Sequence, residues 1–92
     1  MEKKLLEYMN LVTKTCTIDI ISSLRNAPMR YKDFTKVCSN DKTLSSRLKE
    51  LQDAHLIETV LKKEKNKSFI YYKITEKGNK LLNFIDSMDK KI

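Results

Sequence analysis

A chain of 92 residues with 19 Lys and Arg against 12 Asp and Glu, a formal charge of +7, has room for one domain and favours polyanionic partners. Its hydrophobic share of 40% is spread in short blocks, none near the roughly 18 apolar residues of a membrane span, and the start Met1-Glu2-Lys3-Lys4-Leu5-Leu6-Glu7 is too acidic and interrupted for a signal peptide. The expectation is a cytosolic protein with no membrane partner.

The first segment, Glu2 to Val12, places Leu5, Met9 and Val12 on one stripe of a helix that can run on into the next. From Thr15 to Arg25, Thr17, Ile20, Ile21 and Leu24 share a face, and Asn26-Ala27-Pro28 stops the helix because proline disfavours helical geometry before it. Met29-Arg30-Tyr31 is at best a short extended piece. Lys32 to Cys38 holds Phe34 and Val37 three apart, enough for two turns, and Ser39-Asn40-Asp41 supplies three candidate N-caps. In Asp41 to Ala54, Leu44, Leu48 and Leu51 fall within about 60° of one another at 100° per residue. The runs 56–61 and 68–74 are β-branched and aromatic and flank the polar stretch 62–67, which reads as a hairpin with a charged tip. Thr75 can cap a last helix to about Lys90, with Leu81, Leu82, Ile85 and Met88 as its stripe.

Two helices separated by a short turn, with a hairpin directly after the second, form the layout of a winged helix-turn-helix, whose second helix enters the major groove of DNA. This makes the chain mainly α with a small β-hairpin: one domain over 1–92, with terminal helices 2–12 and 75–90, a helix-turn-helix over 32–54 and a wing over 56–74. With the three leucines turned inward, Lys42, Ser45, Ser46 and Lys49 face outward, and Thr43 and Arg47 lie on the flanks. The N-terminal half of such a helix meets base edges, so Lys42, Thr43, Ser45 and Ser46 are candidates for base contacts, and Arg47 for a guanine or a phosphate. Residues 61–80 hold seven lysines against two glutamates, more than half the excess charge. Lys63, Lys65, Asn66 and Lys67 at the hairpin tip suit the DNA backbone or minor groove. The stripes of Leu5, Met9 and Val12 and of Leu81, Leu82, Ile85 and Met88 lie at the two chain ends, where a two-fold axis would bury them in a homodimer.

Other chemistries are poorly served. There is no Gly-rich phosphate loop and no nucleophile elbow, and His55 is the only histidine, which argues against an enzyme. Cys16, Cys38 and His55 cannot complete a zinc ligand set within one chain, so no metal, cofactor or small-molecule ligand is expected. The cysteines are expected as two half-buried thiols, with a redox switch or a disulfide, within or between subunits, as the alternative.

The stretches Ala27-Pro28-Met29-Arg30-Tyr31-Lys32-Asp33-Phe34, Lys42-Thr43-Leu44-Ser45-Ser46-Arg47-Leu48-Lys49-Glu50-Leu51 and Tyr72-Lys73-Ile74-Thr75-Glu76-Lys77-Gly78 resemble the HxlR-type regulators. That family's G-P-x-R-F-x-E-L turn, L-x-x-R-L-x-x-L helix and Y-x-L-T-x-x-G junction occur in the same order over residues 15–85, with MarR-type and ArsR-type winged helices as the rival readings. The resemblance implies a dimeric DNA-binding transcription factor with Arg30 and Lys32 near phosphates, Lys42 to Lys49 in the major groove, Lys63 to Lys67 in the wing and the last helix in the dimer. Two positions depart from it: Cys16 stands where the family has Trp, and Ala54-His55 replaces a glycine. The competing reading is a winged-helix module that binds protein rather than DNA.

Overall fold

The computed structural model describes the backbone of residues 3–91 and, within them, all side chains except those of residues 4, 5 and 89–91. Helices α1 (Lys3–Val12) and α2 (Thr17–Ser23) lead into a 3-10 helix (Tyr31–Lys36), helix α3 (Asp41–Asp53), strands β1 (Ile57–Glu64) and β2 (Lys67–Ile74), and helix α4 (Glu76–Lys91). This is the winged helix-turn-helix anticipated from the periodicity.

α1 does not continue into α2. The chain turns through Thr13–Cys16, and Cys16 precedes α2 in the left-handed region at φ 72°. The two cysteines are not free thiols: Cys16 and Cys38 form a disulfide with Cα atoms 5.8 Å apart, pinning the α1–α2 turn to the end of the 3-10 helix. A bridge spanning 22 residues stabilises such a chain by about 3 kcal/mol in the chain-entropy account. The segment over Lys32 to Cys38 is a single tightened 3-10 helix, begun by the Asp33 carboxylate, which accepts the Arg30 N–H at 3.0 Å. Met29 pairs with Tyr72 in an isolated bridge, which makes the short extended piece a third strand position beside β2.

The core gathers Ile20, Ile21 and Leu24 of α2, Phe34, the three leucines of α3, Leu56 and Ile57, Leu81 and Leu82 of α4, and Leu11 and Val12 of α1. Tyr72 closes it edge-on against Phe34, with ring centroids 5.7 Å apart. Truncating any of these buried leucines to alanine is worth roughly 2–5 kcal/mol.

α3 ends in a Schellman arrangement. The His55 N–H donates to the Gln52 carbonyl at 2.9 Å and the Leu56 N–H to the Leu51 carbonyl at 3.0 Å, with His55 in the left-handed region at φ 61°. Leu56 therefore closes the helix and opens the hairpin. Its carbonyl then meets the β2–α4 junction: the Thr75 N–H donates to it at 3.0 Å, the Thr75 hydroxyl lies 3.0 Å from it and 2.8 Å from the His55 carbonyl, and the same hydroxyl accepts the Gly78 N–H at 3.0 Å. Thr75 thus caps α4. A Cβ on Gly78 would stand 2.2 Å from the Leu56 oxygen and 2.7 Å from Ile74 Cγ1, so only glycine allows the first turn of α4 this close.

The hairpin is longer and its turn tighter than the sequence reading. The strands run in register from Ile57↔Ile74 to Glu64↔Lys67, leaving Lys65 and Asn66 alone in the turn at φ 48° and 67°, the backbone of a type I′ hairpin. Alternating hydrophobicity stops near residue 61, and that is why the polar stretch 62–67 reads as loop.

Two substitutions test the junction and the helix end. Gly78→Ala should destabilise the fold by at least ~3 kcal/mol, because the obstructing atom is backbone, and a urea midpoint within 0.3 M of the parent would remove the argument. His55→Gly should relieve the left-handed penalty and stabilise by about 0.5–1 kcal/mol, raising the melting temperature by a few degrees, whereas a lowered one would show that the imidazole compensates for its backbone.

Candidate nucleic-acid interface

Of the three candidate caps, Asn40 starts α3, its side chain accepting the Thr43 N–H at 2.9 Å. With Leu44, Leu48 and Leu51 buried, Lys42, Ser45, Ser46 and Lys49 are exposed, as the helical angles require, and Thr43 is half-buried next to the cap. The Tyr31 hydroxyl lies 2.9 Å from Ser45 Oγ and 3.3 Å from the Asp41 carbonyl, joining the start of the 3-10 helix to the start of α3. Hydrophobic periodicity gives no signal for this tie, because Tyr31 lies outside any regular stripe.

Arg47 is the correction on this helix. Its Nε donates to the Thr15 carbonyl at 3.0 Å and its Nη1 to Glu50 at 2.6 Å, and only 19% of the side chain is exposed, so it braces α3 against the α1–α2 turn instead of facing a groove. Lys14 pairs with the same Glu50. The Lys14 ammonium beside it, followed by the Arg47 guanidinium, holds the Glu50 carboxyl below its ordinary value against partial desolvation.

On the wing, Lys63, Lys65, Asn66 and Lys67 are exposed, and among the described residues none of these lysines, nor Lys32, Lys42 or Lys49, makes an ion pair. Arg30 is half-buried, its guanidinium 4.0 Å from the centre of the Phe69 ring, a cation–π stack that ties the start of the helix-turn-helix to the second wing strand. Arg30, Tyr31, Lys32, Ser68, Phe69 and Ile70 line a shallow groove there. Phe69 was legible only as a strand residue, since its meeting with Arg30 depends on the hairpin register.

At the chain ends the expected stripes are split. Val12, Leu81 and Leu82 are buried in the chain's own core, because α1 and α4 both pack onto it, and they are withdrawn from the interface set. Met9 and Ile85 are half-buried against the core, Met88 is exposed, and Leu5 lies outside the residues whose side chains are described. Leu6 and Phe84, not counted before, are 50% and 48% exposed, and Phe84 borders an apolar cleft with Tyr8, Leu56 and Leu81. Among the described residues no three metal-ligating side chains gather, and no helix is long and apolar enough to cross a membrane.

A family model for HxlR-like helix-turn-helix proteins matches residues 11–92. In structure the chain is similar to the reduced form of the transcriptional regulator YodB from B. subtilis, with TM-score 0.86 and 29% identity over 98% of this chain and 89% of that one. The diamide-treated form of YodB gives TM-score 0.85 and 29% identity, over 98% and 90%. The homodimeric winged helix-turn-helix DNA-binding domain of Mb0332 from Mycobacterium bovis shares the fold, with TM-score 0.74 and 18% identity over 96% and 80%. Comparison with curated protein sequences gives no match.

The Glu50 brace carries a pH signature. A carboxyl held below its ordinary 4.5 contributes stability that is fully present above that value and is lost as pH falls through the lowered one. Glu50→Gln should therefore cost no more than ~1 kcal/mol at pH 7, given its exposure, and the difference from the parent should close as pH falls below the ordinary carboxyl value. Urea midpoints at neutral pH and in acid check it, and a difference independent of pH would mean the brace is not ionic.

Proposed function

We propose a function from an established premise: the chain belongs to the HxlR-like helix-turn-helix family, whose structural neighbours are transcriptional regulators. It acts as a sequence-specific regulator of transcription that binds double-stranded DNA as a homodimer. α3 enters the major groove with Lys42, Thr43, Ser45 and Ser46 toward the bases and Lys49 toward the backbone. The wing meets the backbone or the adjacent minor groove through Lys63, Lys65, Asn66 and Lys67, and Arg30 and Lys32 hold phosphates beside it.

The observation that carries this reading is the division of the basic residues. Arg47 and Lys14 are spent on Glu50, Arg25 pairs with Asp86 at 2.9 Å and Lys73 with Glu58 at 3.3 Å, whereas the lysines of α3 and of the wing tip stand unpaired among the described residues. Unpaired cations flanking an exposed helix suit a polyanion, and with Arg47 engaged the bidentate reading of guanine has few candidates in this chain. The dimer is supported by the exposed apolar side chains of α1 and α4, Leu6, Phe84 and Met88, with Met9 and Ile85 half-buried, which a two-fold axis would cover. The fold shared with the homodimeric domain of Mb0332 agrees with that arrangement.

The test is fluorescence anisotropy with mixed duplex fragments at 50 and 200 mM salt, for the parent and for a Lys63→Ala, Lys65→Ala, Lys67→Ala variant. If about six phosphates are neutralised, affinity should fall roughly a thousandfold between the two salts, and the variant should bind more weakly with a slope shallower by about three. Absence of duplex binding at both salts would sink the reading in favour of a protein-binding module.

A further inference from the structure

The two faces of the wing are chemically different. On one, Glu58 pairs with Lys73 at 3.3 Å, the Tyr71 hydroxyl donates to Glu64 at 2.9 Å and Lys62 lies 4.9 Å from the centre of the Tyr71 ring, so its charges are largely answered within the hairpin. The other begins in the core, where Ile57 is buried and Tyr72 meets Phe34, and continues past it through the register pairs Thr59↔Tyr72, Leu61↔Ile70 and Lys63↔Ser68. This second face holds no carboxylate, and its middle pair is Leu61, 69% exposed, directly opposite Ile70, 57% exposed. Strand positions facing only water would be expected to be polar.

The surroundings indicate the occupant. Ile70 lines the groove that also holds Arg30, Tyr31 and Lys32, and Tyr31 is 2.9 Å from Ser45 on α3, so the apolar pair borders the groove that adjoins the first turns of the recognition helix. A second copy docked face to face on this patch would bring two sets of Lys63 together with no acid on either face. A duplex matches better, since the walls of its minor groove are the C–H surfaces of deoxyribose and its rims are phosphates.

Building on the DNA-binding reading above, we infer that Leu61 and Ile70 form an apolar contact surface for the sugar wall of the minor groove beside the α3 site, with Lys63 and Lys32 on the flanking phosphates. The wing then contributes a part of the affinity that is independent of salt, because burying apolar surface releases no counterions. This part is separable from the lysine contribution: one shifts the binding curve at every salt, the other changes its slope.

The experiment measures duplex affinity from 50 to 200 mM salt for the parent, for Leu61→Thr with Ile70→Thr, and for the exchanged pair Leu61→Ile with Ile70→Leu. The threonine variant should bind on the order of tenfold more weakly at every salt with the slope unchanged, and the exchanged pair should bind like the parent. Hydroxyl-radical footprinting of the parent complex, which attacks deoxyribose from the minor groove, should show protected sugars adjoining the α3 site and does not depend on how the variants fold. Parent binding that is steep in salt, with no sugar protection or with full affinity in a folded threonine variant, overturns this inference and leaves the DNA-binding reading standing. A threonine variant that changes only the molecular mass in solution overturns it in favour of a contact between copies, and a parent that binds no duplex removes both readings.

Discussion

The Leu56 carbonyl is the point on which the architecture turns. Leu56 ends the recognition helix through its N–H, opens the first wing strand, and through its oxygen receives the backbone and side chain of Thr75, while Gly78 leaves room for the first turn of α4. Three elements, α3, the wing and α4, are thereby tied at one peptide. The T-x-x-G spacing has a direct cause here: a hydroxyl that caps the helix and a missing Cβ three residues on, both aimed at the same oxygen.

A second layer of ties orients the recognition helix from its other side. Arg47, Lys14 and Glu50 fasten the middle of α3 to the α1–α2 turn, and the Cys16–Cys38 disulfide fastens that same turn to the end of the 3-10 helix. Tyr31 fastens the start of the 3-10 helix to the start of α3. The exposed side chains of α3 thus project from a helix held at both ends and at its middle. Rigid placement lowers the entropy lost on docking, so in the proposed complex the lysines and serines of α3, weaker readers than arginine, would start from a preorganised helix.

The departures from the family pattern are local and compensated. His55 takes the left-handed position where the resembled pattern has a glycine, and the hydrogen bonds of the Schellman arrangement form around it. Cys16, where the resembled pattern has a tryptophan, stands in the left-handed region and is bonded to Cys38, a covalent tie between the α1–α2 turn and the end of the 3-10 helix.

The sequence by itself determined the order of the elements, the leucine face of α3 and its polar complement, the Thr75 cap and the concentration of charge on the wing, because each depends on neighbours a few residues away. It did not reveal that Arg47 turns to Thr15 and Glu50, that Val12, Leu81 and Leu82 belong to the chain's own core, or that the cysteines are joined. The lengths of the wing strands, the stack of Arg30 on Phe69 and the exposed Leu61–Ile70 pair were equally out of reach. The reason is common to all of these: each depends on contacts between segments far apart in the chain or on a strand register, and periodicity, which reports only the side of an element that a residue occupies, carries no information about what lies opposite it.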